Sequence, residues 1–405
     1  MAKVRPFLAL RPDPKVVDKV ASVPYDVVDR AEAAQLAGDN PLSFLRVSRA
    51  EIDLPEANDV YGLEIYARAE QNFQQLIAQH HLVREERPSL YVYRLKMGEH
   101  VQVGVAAAFS VDEYDTDRIK KHEKTRREKE DDRTRHIVTL RAQTGPVFLT
   151  YRGNAGLNAL VEQVQTTQPL YDLVAVDGIA HTLWKVDQPE AITSAFEAIP
   201  TLYIADGHHR AASASRARAQ LKQQATDWTG EEPANTFLAV AFPSDQLSIL
   251  PYNRIVVDLN GRTPEQFCEQ VARVCTLSAG QPRPSTAGHV SMYCDKQWFD
   301  LKLPQPQGAS PADKLDVAIL QSQLLAPLLG VDDPRTSKRI DFVGGIRGTD
   351  ELVKLVDSGK ASVAFSMFPT SVDELMAISD ADEIMPPKST WFEPKLRDAL
   401  LIHSI

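Results

Sequence analysis

The chain has 405 residues, 43% of them apolar and 25% charged, with a formal net charge of -10 at pH 7. That length accommodates two or three domains with cores of their own, and the composition is that of a globular protein in water. The acidic surplus argues against a general nucleic-acid binder, no apolar run reaches membrane-spanning length, and the first residues lack the apolar segment of a secretory signal.

Residues 4–10 read as a strand, 31–37 as a short helix and 43–47 as a strand. Residues 61–76 carry Leu63, Tyr66, Ala67, Phe73 and Leu76 near helical spacing, which predicts an amphipathic helix. Residues 90–95 and 101–111 predict a β-hairpin around Gly98, its second strand central because 105–109 is almost wholly apolar. A charged segment follows, with nine Lys/Arg and six Asp/Glu between Asp117 and Arg135. One reading of its second half is a solvated helix with i,i+4 ion pairs such as Arg127–Asp131. Further strands are expected at 147–151, 182–186, 202–206, 236–242 and 254–258, with helices at 157–164 and 190–198.

Composition shifts near Asn260-Gly261, and a Pro/Ser/Gly-rich stretch spans 279–288. This predicts an N-terminal mixed α/β catalytic region over 1–260 and a C-terminal α/β domain over 261–405. The latter is expected to hold a helix at 312–329, a turn at Gly344-Gly345, a helix at 350–357, a strand at 362–368 and a helix capped by Thr370-Ser371. Its Pro386-Pro387 pair cannot be helical, and the short loop around it either packs over something or is a tail docked on its own domain. Strands and helices interleave without a long βαβ series, so the fold class is α+β (mixed α/β), not a doubly wound sheet. Cys268, Cys275 and Cys294 lack metal-ligand spacing and read as buried or half-buried thiols in a reducing cytoplasm.

Chemistry concentrates where the apolar run Leu202-Tyr203-Ile204-Ala205 stops at Asp206-Gly207-His208-His209-Arg210 and an alanine-rich helix begins. A strand, a tight turn and a helix N-terminus aim free backbone N–H groups at one spot. Gly207 permits close approach, while His208, His209 and Arg210 add donors for an anion. The segment Lys120-Lys121-His122-Glu123 is a candidate proton-transfer site, because its cationic neighbours favour the ionised Glu123 carboxylate. Tyr25-Asp26 is either a turn with a capping Asp or a candidate for holding a polar ligand. Arg46, Ser48 and Arg49 add charge to the same pocket or lie on the surface. No phosphate-binding Gly-rich loop, dinucleotide fingerprint, His-Glu-x-x-His zinc motif or Gly-x-Ser-x-Gly elbow is present.

The Asp206–Arg210 motif resembles the phosphate-binding motif of the ParB/sulfiredoxin-like superfamily, in the version found in its free serine kinases. Those enzymes carry an upstream His-Glu pair whose glutamate is the base; His122-Glu123 holds that place, with a longer gap. The chain also resembles, close to full length, a widespread microbial family catalogued as a domain of unknown function. That likeness rests on Tyr25-Asp26 and its flanks, Lys120–Glu123, Asp131-Asp132-Arg133, Asp206–Arg210 and Met385–Thr390.

The resemblance implies a ParB-like core and a cytoplasmic kinase transferring phosphate to free L-serine, from pyrophosphate or a nucleotide, with Mg²⁺. Glu123 would be the base beside His122, and Asp206 would hold Mg²⁺ or substrate. Gly207, His208, His209, Arg210, Lys120, Lys121 and Arg133 would hold the donor phosphates, and Tyr25 and Asp26 the acceptor. Two other readings stay open, a ParB-like nucleotide-binding, DNA-associated protein and a non-catalytic anion binder.

Overall fold

The computed structural model describes residues 2–54, 59–306 and 308–405. Contacts gather these into two compact units, residues 1–247 with 394–405, and residues 248–393. The composition shift near 260 falls inside the second unit, after its first long strand. Nothing in the composition marks the return of residues 394–405 to the first unit.

The first unit is built on a nine-stranded mixed sheet. Its strands are β1 (Val4–Arg5), β2 (Tyr91–Met97), β3 (His100–Ser110), β4 (Ile119–Lys120), β5 (Val147–Tyr151), β6 (Tyr171–Val174), β7 (Ala180–Lys185), β8 (Leu202–Asp206) and β9 (Thr236–Pro243). Their order is β4-β8-β5-β9-β3-β2-β7-β6, with β1 paired to β3. Strands β5 and β9 are buried at every position, as continuous apolar runs in a sheet covered on both faces should be. The predicted hairpin is β2–β3, with Gly98 at a φ of 58° in its turn. The pairing that matters for the site is β4 parallel to β8, Ile119 opposite Leu202 and Lys120 opposite Tyr203. Parallel strands end on the same side of a sheet, so the segments following Lys120 and Asp206 leave it together.

Three helices flank this edge: α1 (Leu63–Ala78), α2 (Arg127–Leu140) and α3 (His208–Gln224). Helix α1 buries Ile65, Tyr66, Ala69, Phe73 and Leu76; of the predicted stripe, Tyr66, Phe73 and Leu76 are buried, while Leu63 and Ala67 face solvent. Helix α3 buries Ala211 and Ala214 in the apolar cluster of the sheet and lies along α2 on another face. Between them Ser213 Oγ donates to the Glu130 carbonyl at 3.2 Å. Asp131 pairs with Arg216 of α3, so the charged helix is tied to a neighbour rather than only to itself.

Two predicted strands differ. Pro6 has no N–H to give, so the strand expected at 4–10 breaks into β1 and a separate strand Ala9–Pro12 in a four-stranded sheet. Residues 43–47, too short for their apolar pattern to fix a period, form the helical turn Leu45–Ser48. It places Phe44 and Val47 in the cluster that holds Phe73.

The second unit contains a six-stranded antiparallel sheet of β10 (Tyr252–Val256), β11 (Thr276–Ala279), β12 (His289–Cys294), β13 (Gln297–Lys302), β14 (Ile340–Gly344) and β15 (Val363–Met367), in the order β11-β13-β12-β15-β10-β14. Helix Gly348–Asp357 covers it through Leu352, which packs with Ile255, Val343 and Ala364. Ser371 caps the helix Val372–Asp380 in a reciprocal pair with Glu374. The helix expected at 312–329 starts at Asp316 and is interrupted by a π-helical turn over Gln321–Leu325. Among the described residues no helix is long and apolar enough to cross a membrane.

Candidate active site

Gly207 joins β8 to α3 with φ 91° and ψ 30°, a left-handed conformation that glycine adopts without strain. A Cβ there would meet Arg210 Nη1 and the Val147 Cα at 3.4 Å, close but not overlapping. Gly207→Ala is therefore expected to cost about 1–2 kcal/mol, from the dihedral rather than from collision. Urea denaturation checks this, and an unchanged midpoint would contradict it. Because α3 starts at a glycine with no side-chain cap, its first N–H groups have no intrahelical acceptor.

Both histidines of the turn hold the loop that carries Glu123. His208 Nε2 accepts from the His122 backbone N–H at 3.4 Å, and His209 Nε2 accepts from the Arg126 N–H at 3.0 Å. The loop from β4 to α2 is thus pinned near both ends to the first turn of α3. With Nε2 accepting, the His208 proton belongs on Nδ1, which faces Glu123 Oε2 at 4.0 Å. The Glu123 side chain is 47% exposed, so its carboxylate sits beside the helix N-terminus and open to solvent. The His122 ring meets His208 edge to face, with centroids 4.4 Å apart. It is buried, and its Nδ1 has no partner among the described residues. Burial pushes His122 down to about 4 against the pull of Asp206, and burial together with His122 holds His208 well below its ordinary value. Both are neutral at pH 7.

Asp206 accepts from the Gly207 N–H and from Lys395 Nζ, each at 2.9 Å. Burial opposes its charge, but Lys395 and Arg210 outweigh that and hold the carboxyl below the usual range. Arg210, also buried, reaches Asp26 at 2.7 Å and the Pro146 carbonyl at 3.2 Å. Tyr25 lies between two guanidiniums, with Arg133 4.1 Å and Arg210 5.5 Å from its ring centroid. Arg133 is held by Asp132 at 2.8 Å and the Ser48 carbonyl at 3.4 Å, and Asp132 accepts from the Tyr66 hydroxyl. Two cavities flank this stack. One, of about 140 Å³, is lined by Tyr25, Tyr61, Tyr66, Lys129, Asp132 and Arg133. The other, of about 30 Å³, lies against Arg210, Arg133 and Asp398.

The fold thus gathers Tyr25, Asp26, His122, Glu123, Arg133 and the whole 206–210 turn. Lys120 ends β4 beside them. Lys121 is drawn to Asp117 at 2.7 Å and to the Tyr114 ring at 4.1 Å. Arg46 pairs with Asp53, and Arg49 with Glu51 at 2.9 Å. Sequence reasoning missed Lys395 and Asp398, which arrive with the C-terminal return. Only the tertiary fold brings them here, since neither stands in a motif of its own. For Mg²⁺ the fit is poor as a resident site. Among the described residues no three His, Cys, Asp or Glu converge as ligands, and both Asp206 oxygens are engaged.

The buried imidazoles give a pH dependence with a definite sign. His122, His136, His181, His208, His209 and His403 are all held below their ordinary value, first by burial. A histidine depressed in the folded state contributes stability above pH 6.5 that is lost as pH falls through its folded pKa, here about 4 for His122, His136 and His403. Asp398 runs the other way. Burial pushes it up to about 7, so its contribution is present near pH 4 and fades as pH rises to 7. Six imidazoles oppose two carboxyls, because burial also raises Asp316. Each tenfold change in one group's proton affinity between the folded and unfolded chain is worth about 1.4 kcal/mol, so stability is expected to fall by several kcal/mol between about pH 6.5 and 4. Denaturation midpoints at pH 7.5 and 5 test it, and equal midpoints would contradict it.

Residues 4–318 match the model of a family described as a protein of unknown function, DUF1015, and the chain belongs to that family. No curated protein matches it. Among solved structures, a free serine kinase in complex with AMP aligns at 12% identity over 73% of this chain and 92% of that one, with a TM-score of 0.34. SbnI with a C-terminal truncation, from Staphylococcus aureus, aligns at 12% identity over 73% and 87%, with a TM-score of 0.39. A conserved hypothetical protein from Pyrococcus furiosus aligns at 13% identity over 73% and 93%, with a TM-score of 0.35.

Proposed function

We propose that the chain is a phosphotransferase that phosphorylates the hydroxyl of free L-serine, with pyrophosphate or a nucleotide as donor. The observation that carries this reading is the parallel pairing of β4 with β8, which sets Glu123 beside the first turn of α3. Phosphoryl transfer requires positioning and positive charge more than covalent chemistry by the protein. Glu123 accepts the serine Oγ proton as the Oγ–P bond forms. The bond from phosphorus to the donor's bridging oxygen breaks, and phosphate or the shortened nucleotide leaves with that electron pair. The N–H groups opening α3, with Lys120, hold the donor phosphates. His208 and His209 keep the Glu123 loop against them. The cavity of about 140 Å³, lined by Arg133, Lys129 and Asp132, has the mixed charge a small zwitterionic acceptor requires. Any Mg²⁺ arrives with the donor phosphates rather than in a cage of protein ligands.

The test is donor consumption at graded L-serine. A rate that saturates with L-serine supports the reading, and a donor consumed equally without serine contradicts it. A DNA complex that weakens steeply with salt would instead favour the ParB-like alternative.

A further inference from the structure

The second unit buries a cation that no acid among the described residues neutralises. Arg254, at the centre of β10, is 3% exposed. Among the described residues, the buried Arg210 and Arg397 and the half-buried Arg11 and Arg133 of the first unit each have a carboxylate, Asp26, Asp177, Glu85 and Asp132 respectively. Arg254 has two backbone carbonyls instead, those of Tyr252 and, at 3.0 Å, Lys388, and its guanidinium lies 5.6 Å from the Phe342 ring centroid. Burial pushes it down to about 9. A desolvated guanidinium without a counter-charge is costly to the folded state, and its planar fork matches an oxyanion.

That side chain lines a cavity of about 270 Å³, larger than either cavity beside the Tyr25 stack. Its other walls are mainly apolar: Leu325, Ile340, Phe342 and the Pro386-Pro387 pair. Both prolines of that pair line the cavity. Asp333 at the cavity is already paired with Arg335 at 2.9 Å, and Asp332 is exposed, so Arg254 is the deep charge. Gln321 and Leu325, both on the cavity wall, are the first and last residues of the π-helical turn. Such turns appear mostly as single bulges inside α-helices and are frequent at functional sites. A concave, mainly apolar space with one buried polar anchor is the general form of a small-ligand site.

We propose that this cavity is a second ligand site, independent of the phosphotransferase reading, that takes a small organic oxyanion with a flat apolar body. The carboxylate or phosphate seats on Arg254, and the body lies against Phe342 and the two prolines.

Calorimetric titration of the full chain with benzoate, phenyl phosphate and neutral benzamide tests it. The expected result is saturable one-to-one binding of benzoate or phenyl phosphate, at least tenfold tighter than benzamide, abolished in Arg254→Met. Preference for benzoate assigns a carboxylate ligand, and preference for phenyl phosphate a phosphate ligand. Should Arg254→Met fail to fold, Phe342→Ala keeps the test open, with an expected tenfold loss for the aromatic anions. No binding tighter than about 10 mM, or affinities unmoved by both substitutions, would overturn the proposal. So would binding lost in Gly207→Ala instead, which would assign the anion to the turn of the first unit.

Discussion

Replacing Glu123 with glutamine is expected to lower phosphoserine formation by about 100- to 10,000-fold while leaving the fold and donor affinity intact. The side chain is 47% exposed and faces the neutral His208 ring, whose Nδ1 is 4.0 Å away, so an amide of the same shape fits the same place. What it removes is the capacity to accept the hydroxyl proton as the Oγ–P bond forms. Turnover should therefore fall without a matching loss of donor binding, which calorimetry with pyrophosphate reads directly. Full activity in Glu123→Gln would remove this residue as the base and leave positioning by α3 as the remaining chemistry of the site.

Arg210→Ala is expected to be the most damaging substitution to stability in the site. The guanidinium is buried, pairs with Asp26, bonds the Pro146 carbonyl and supports one face of Tyr25. It is also a cation that offsets the burial of Asp206 and Asp398. Losing one partner of a buried pair typically costs about 3–5 kcal/mol. Asp26 is 37% exposed and can rehydrate, which reduces the expectation to about 2–4 kcal/mol. Arg210→Lys should recover only part, because an ammonium cannot span Asp26 and Pro146 as the fork does. Urea midpoints at pH 7.5 measure both variants, and an unchanged Arg210→Ala midpoint would show that the Asp26 contact contributes nothing to stability.

The local chemistry of the site was legible in the sequence, and its assembly was not. An apolar run ended by Asp206-Gly207 and followed by alanines specifies strand, turn and helix by neighbouring residues alone, and β8 and α3 follow it closely. The β2–β3 hairpin and the Ser371 cap are legible for the same reason. The pairing of β4 with β8 joins segments more than eighty positions apart and rests on two residues in each strand, too short a stretch for any pattern. The roles of the two histidines follow from that pairing. Read locally they are donors for an anion, but each places a ring nitrogen on a backbone N–H of the Glu123 loop. Lys395 is beyond reach of pattern reading, since a lysine near the chain end has no periodicity to betray that it returns to Asp206. The break at Pro6 differs in kind, because the missing N–H is visible in the sequence and only the apolar run around it conceals the consequence.

Whether the chain is a serine kinase is decided most directly by phosphorus NMR of the intact protein with Mg²⁺ and L-serine, in parallel with pyrophosphate, ADP and ATP. A phosphoserine resonance that grows as one donor declines is the predicted result, and it names the donor in the same spectrum. If none of the three donors is consumed, or a donor is hydrolysed with no phosphoserine formed, the site is not a serine kinase.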